Sequence, residues 1–281
     1  MQQMTFQLEP RYIRAVDHIQ ALRGGAQSHL LLADDGRRYV VKFQGNPQGT
    51  RILANEWIAA AVFQYLGIRT PAVTAIQVDE AFLAAHPQVC FRLGTHSAPV
   101  SAGIHFGSWY VGAAGHDPYE FLPETLLERV HNRRDFIGAL VADKWLENAD
   151  GRQCVFLKSK SRGFEVWMID HGYILNGPNW TVGNDGDLCG LYSRPMVYGD
   201  ITDVASFEPW LTAVERCPFH VFEDALDWMP GEWLCAVKAE QLRLVLGEVW
   251  QNRRRLRHRL IELCSRRSQH FSGWHPKPAA A

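Results

Sequence analysis

The sequence predicts an α+β fold in two lobes, a small β-rich lobe over residues 1–95 and a larger, mostly helical lobe over residues 96–281. Three observations predict it. Short apolar runs separated by glycine turns fill the N-terminal part, and helical periodicity takes over beyond residue 117. Between them, Thr95 to Asp117 is rich in Gly, Ser and His and reads as a connection. The chain of 281 residues, 47% hydrophobic and 21% charged, is also long enough to fill two cores.

Tyr12 to Leu22 reads as extended chain, followed by the glycine turn Arg23-Gly24-Gly25-Ala26-Gln27-Ser28. His29 to Ala33 and Tyr39 to Phe43 are strands joined by Asp34-Asp35-Gly36, a hairpin signal. From Arg51 the period changes. Leu53, Trp57, Ala60 and Ala61 share one helical face, and Ile52, Ala59, Phe63 and Leu66 form the next row. Glu56 falls in that second row and is expected to point inward. Gly67 ends the helix. Pro71 to Val78 and Val89 to Leu93 are further strands. In the second lobe, helices are expected over 124–130, 136–147, 207–216, 219–228 and 239–265. A strand pair, 155–157 and 165–169, is joined by a basic loop, Lys158 to Gly163. Asn176 to Asp200 is a long irregular segment, a length that favours a functional or gating role.

Charge and cysteine usage narrow the function. Lys+Arg 29 against Asp+Glu 30 gives no basic excess to draw nucleic acid. The run Arg253 to Arg259 is locally basic, but its helical pattern reads as a solvated or packing face. Cys90, Cys154, Cys189, Cys217, Cys235 and Cys264 make no C-x-x-C pair, which argues against zinc. No apolar leader or bilayer-length window is present, so no membrane partner and a cytoplasmic location are expected.

The residues that carry chemistry come in an order. Lys42 lies in Val40-Val41-Lys42-Phe43, where a lone ammonium is costly unless paired, and Glu56 is the candidate partner. Asp150 sits in the polar turn Asn148-Ala149-Asp150, and Asp170 ends an apolar strand before His171-Gly172. Each charge alone reads as a solvated side chain or a turn former. Together, a strand Lys, a helix Glu and two ordered carboxylates suit phosphoryl transfer. Lys42 and the loop Gly24 to Ser28 would meet nucleotide phosphates, Asp150 would orient the attacking hydroxyl and Asn148 would steady the loop. Asp170 would hold Mg2+. Cys154 near His171 lacks an orienting third group, and a buried role is expected for it.

These residues, together with Asn46-Pro47-Gln48, Asn55-Glu56, Leu66-Gly67-Ile68-Arg69-Thr70-Pro71, His105-Phe106-Gly107-Ser108 and Asn148 to Gln153, resemble the HipA-like kinase family over most of the chain. The resemblance implies a protein-kinase-like fold that binds ATP and Mg2+ and phosphorylates a hydroxyl, with a protein as one possible acceptor. One departure matters: the family pattern places a metal-binding Asn five residues after the catalytic Asp, and here that residue is Val155. Gln153 is the nearby polar substitute. Three alternatives stay open at this level: a pseudokinase, nucleotidyl transfer on the same fold, and a regulator acting through the 176–200 segment.

Overall fold

The computed structural model describes residues 12–112, 117–159, 163–183 and 190–275. The first residues of the chain, the middle of the basic loop (160–162), the centre of the 176–200 segment with Cys189, and the Pro276 tail lie outside them.

Strands β1 (Ile13–Ala21), β2 (His29–Ala33) and β3 (Arg38–Lys42) run as an antiparallel meander. The β2–β3 turn closes where Gly36 takes φ 76° and donates to Ala33 O at 2.9 Å, the left-handed geometry glycine accepts without strain. Helix α1 (Arg51–Tyr65) follows. Gly67, at φ 68°, lets Ile68 N return to Phe63 O at 2.9 Å, so the terminal carbonyls are satisfied as a Schellman end requires. Then come β4 (Val73–Val78), α2 (Glu80–Ala85), β5 (Cys90–Leu93), β6 (His96–Pro99) and β7 (Gly103–Trp109).

The order β1–β2–β3–β7–β4 closes into a barrel, with β1 and β4 parallel and the other pairs antiparallel. Tyr39, Val41 and Phe43 point into its core with Leu31, Ile76 and Val78. Strand alternation therefore turns Lys42 to the other face. The interval read as a connection, Thr95 to Asp117, instead holds β6 and β7, so the sheet runs on past residue 95. Glycine and histidine composition hid β7, whose central position between β3 and β4 buries Ile104 and Phe106. α2 was not anticipated either. Asp79 starts it by accepting from Phe82 N at 2.7 Å, an N-cap bond.

The strands and α-helices that follow are α3 (Glu124–Leu127), α4 (Asp135–Trp145), the hairpin β8 (Gln153–Lys158) and β9 (Phe164–Ile169), then α5 (Trp210–Glu215), α6 (His220–Asp227), α7 (Ala236–Asn252) and α8 (Leu256–Arg266), with short 3-10 turns between β9 and α7. The single long helix expected over 239–265 is broken. A 3-10 turn at Arg253–Arg255 separates α7 from α8. There Arg253 lies 3.6 Å over the Trp250 ring, and Trp250 donates to Cys217 O at 2.8 Å. The basic run packs against the fold: Arg257 meets Glu215 at 3.1 Å and Arg259 meets Glu147 at 3.2 Å.

Two apolar clusters result, one inside the barrel and a larger one joining α1 to the helical part. Helix α1 is buried from Ile52 through Phe63. Its Trp57 donates to Ala225 O on α6 at 2.9 Å. The helix that carries Glu56 is thus anchored to the helical core, while Lys42 belongs to the barrel. No helix among the described residues is long and apolar enough to cross a membrane.

Candidate active site

The site forms where the barrel meets the helical core. Lys42 Nζ reaches Glu56 Oε1 at 2.5 Å and Asp170 Oδ1 at 2.7 Å. Lys42 and Glu56 are 7% and 3% exposed, so each charge needs the other to survive burial. Burial lowers the Lys42 ammonium, but the two carboxylates override it and the net shift is upward. Burial raises Glu56 against the pull of Lys42. For Asp170 burial works upward too, yet Lys42 holds this carboxyl down at about 2. One cation therefore faces two carboxylates, which leaves the cluster short of positive charge.

Asp170 follows β9 in a left-handed conformation, φ 56°. What holds it there is Arg152, a residue the sequence reading did not single out. This guanidinium is 3% exposed. It donates to Asp170 O at 2.8 Å and Ile169 O at 3.1 Å through Nη2, and to Asp143 Oδ1 at 3.2 Å and His171 Nδ1 at 3.0 Å through Nη1. Since Nδ1 accepts, His171 carries its proton on Nε2 and donates to Thr70 Oγ1 at 3.1 Å. Burial and then Arg152 hold His171 well below its usual pKa, so it stays a neutral brace.

The second carboxylate loop hangs on the same guanidinium. Asp143 on α4 is fully buried, and burial raises its carboxyl to about 6 against Arg152. It accepts from Asn148 Nδ2 at 2.9 Å, and Asn148 Oδ1 accepts from Asp150 N at 3.0 Å. Asn148 thus ties the backbone of Asp150 to the Asp143 carboxylate. Arg152 and Asp143 link the Asp150 turn to the Asp170 turn. Gly190 completes the enclosure: a Cβ there would lie 2.2 Å from Asp143 Cβ.

Asn55 is the other residue that sequence left without a role. Fully buried on α1, it places Nδ2 within 2.7 to 3.0 Å of Gly172, Ile174 and Gly177 carbonyls, and its Oδ1 accepts from Trp180 Nε1 at 2.8 Å. This fixes the chain just beyond Asp170, including the start of the 176–200 segment. Asn55→Leu should orphan those carbonyls and the indole N–H. Chemical denaturation is expected to register a loss of about 3 kcal/mol; an unchanged midpoint would mean the groups find other donors.

The glycine loop joins β1 to β2. Gly25 lies against Gln48, whose amide fills the space a Cβ would need (2.5 Å) and donates to Tyr173 OH at 3.2 Å. That bridge sets the loop beside the residues following Asp170. Other loop members turn elsewhere. The Gln27 side chain grips the Arg92 backbone of β5 (2.6 and 2.9 Å), and Ala26 and Ser28 are buried. Asp150 and Gln153 line a hollow of about 280 Å³. Gln153 pairs with Ile169, next to Asp170, while Val155 is buried opposite Trp167. Cys154 is buried, and its thiol is pushed up to about 12. A larger hollow, about 1200 Å³ between the Tyr39 end of the barrel and Trp228, contains none of these residues. Size does not mark the site; paired, buried charge does.

A Helicobacter pylori proinflammatory kinase, CtkA, superposes with a TM-score of 0.55 at 15% identity, covering 90% of this chain and 100% of that one. A Golgi casein kinase gives 0.50 at 10% identity, covering 91% and 73%. These likenesses speak to the fold alone, which is α+β and kinase-like. No curated protein matches the chain. A sequence profile described as HipA-like kinase matches residues 18–176. With more than half of its length under that profile, the chain belongs to the HipA-like kinase family.

Proposed function

We propose that the chain is a two-lobed, ATP- and divalent-metal-dependent phosphotransferase acting on a Ser- or Thr-type hydroxyl. The single observation that carries this is Lys42 in contact with both Glu56 and Asp170. A cation from the barrel and a carboxylate from the helical part meet there, with α1 as the lever between them. On this reading Lys42 draws the nucleotide phosphates, Glu56 keeps Lys42 extended, and Asp150 accepts the acceptor's hydroxyl proton. The new bond joins the acceptor oxygen to the γ-phosphorus, and ADP leaves with the electron pair of the broken bond. The protein contributes positioning and charge.

Among the described residues no group of three or more His, Cys, Asp or Glu could hold a metal by itself. Mg2+ on a nucleotide needs less, since one or two carboxylates and phosphate oxygens suffice. Asp170, with the amide oxygen of Gln153 from the position directly opposite its neighbour Ile169 in the hairpin, would supply that donor set. When bound, the metal would neutralise phosphate charge. Incubation with γ-labelled ATP, Mg2+ and a cell extract tests the reading. Label is expected in an acceptor with the native chain, and Asp150→Asn should lower it at least about a hundredfold. Equal labelling by this variant would end the assignment. Label transferred from α- instead of γ-labelled ATP would mean nucleotidyl transfer.

A second reading has its own observation. Val155 is apolar and buried where a metal-binding amide is expected. It favours a pseudokinase that binds nucleotide without transfer, and metal-dependent ATP binding with no label transferred would select it.

A further inference from the structure

The hollow beside Asp150 has contents that phosphate binding does not use. Its walls come from three places: the Asp150 turn, Leu191 to Ser193, and the residues just past α8, Arg267 and His270. The first two are stitched together by Gly190 N to Asp150 O and Arg152 N to Leu191 O, both 3.0 Å. Tyr192 is pinned through its amide to Tyr198 OH at 2.8 Å. This wall is hydrogen-bonded backbone. The third carries one cation, Arg267; burial and then Arg267 lower the His270 imidazole, so His270 offers ring nitrogens and the guanidinium supplies the charge. His270 Nδ1 is shielded from solvent and has no hydrogen-bond partner among the described residues. At about 280 Å³ the hollow sits at the low end of sizes that hold small ligands. It suits one hydroxyl-bearing group and its immediate neighbour.

We propose that this hollow is the acceptor subsite, and that it selects a hydroxyl carried beside an anionic group. The hydroxyl meets Asp150 while the carboxylate or phosphate next to it meets Arg267 and His270. The inference rests on the phosphotransferase reading for its role but not for its chemistry. A carboxylate and a guanidinium in one small space are complementary to a ligand that offers a donor at one end and an anion at the other. In the transfer step the hydroxyl proton passes to Asp150, the oxygen–phosphorus bond forms, and ADP departs as described above.

Anisotropy of a labelled Glu-Glu-Ser-Glu-Glu peptide titrated with the full chain reads the subsite without turnover. This peptide is expected to bind at least about tenfold tighter than Gln-Gln-Ser-Gln-Gln. Arg267→Glu should abolish the advantage, Arg267→Lys should keep most of it, and His270→Gln should reduce it independently. Arg254→Glu reverses an exposed charge in the turn between α7 and α8 and should leave it intact. Displacement by glycerol 3-phosphate at lower concentration than by unlabelled peptide assigns the anion to a small metabolite; the reverse order assigns it to a protein segment. Equal binding of acidic and neutral peptides, or an advantage that survives Arg267→Glu, overturns the proposal. If the preference holds but no γ-phosphate is ever transferred, the phosphotransferase reading falls and the anion subsite stands.

Discussion

Asp170→Asn is expected to lower phosphoryl transfer by about a thousandfold or more while the protein stays folded. The amide is isosteric and can still accept from Lys42, so the 2.7 Å contact keeps its geometry. What disappears is the negative charge that would hold the metal and align the phosphates. A pH signature separates this from a general loss of structure. Lys42 holds Asp170 down at about 2, below its value in an unfolded chain. The stability it contributes is therefore complete above about pH 4 and is lost as pH falls through about 2. The native chain should lose melting temperature more steeply than Asp170→Asn between pH 4 and 2. Native-like transfer by the variant would remove Asp170 from the chemistry; parallel acid profiles would mean the ion pair contributes no stability.

Arg152→Met is expected to have the largest effect on stability, about 3–5 kcal/mol. The substitution keeps the apolar stem and deletes the guanidinium. Asp143 is then left buried with Asn148 as its remaining partner, and the Ile169 and Asp170 carbonyls lose their donor. Activity should fall as well, because the Asp150 and Asp170 turns are tied to each other through this side chain. Urea unfolding measures the first effect. The KM for ATP against kcat resolves the second: a positioning role lowers kcat more than it changes KM. Arg152→Lys is the discriminating control, since one ammonium cannot reach four acceptors arranged around a planar fork. Rescue by Lys would show that charge alone matters and that the bracing geometry does not.

Most strands and helices were legible because their periodicities were strong. Lys42 and Glu56 were legible for the same reason. An apolar strand and an apolar helix row each contained one charge, and burying two opposite charges demands that they meet. Arg152 and Asn55 were not legible. Each sits in an unremarkable local context, and its importance comes from carbonyls far along the chain, such as Gly172 and Gly177 for Asn55. Arg152 stood inside the Asn148 to Gln153 motif without a role, because a guanidinium in a loop reads as solvent-exposed until the fold encloses it. The glycine loop divided: its turn was readable, but the pairing of Gln27 with Arg92 depends on a strand more than sixty residues away.

The sequence by itself determined the α+β class, the identity of the charged residues and their order along the chain, because these follow from local pattern and composition. Only the tertiary structure decided that β7 completes the barrel, that α7 and α8 are two helices, and that one arginine joins both carboxylate turns. Those outcomes rest on contacts between distant segments, where burial turns a polar group without a partner into a cost of several kcal/mol and so selects the single arrangement that satisfies it.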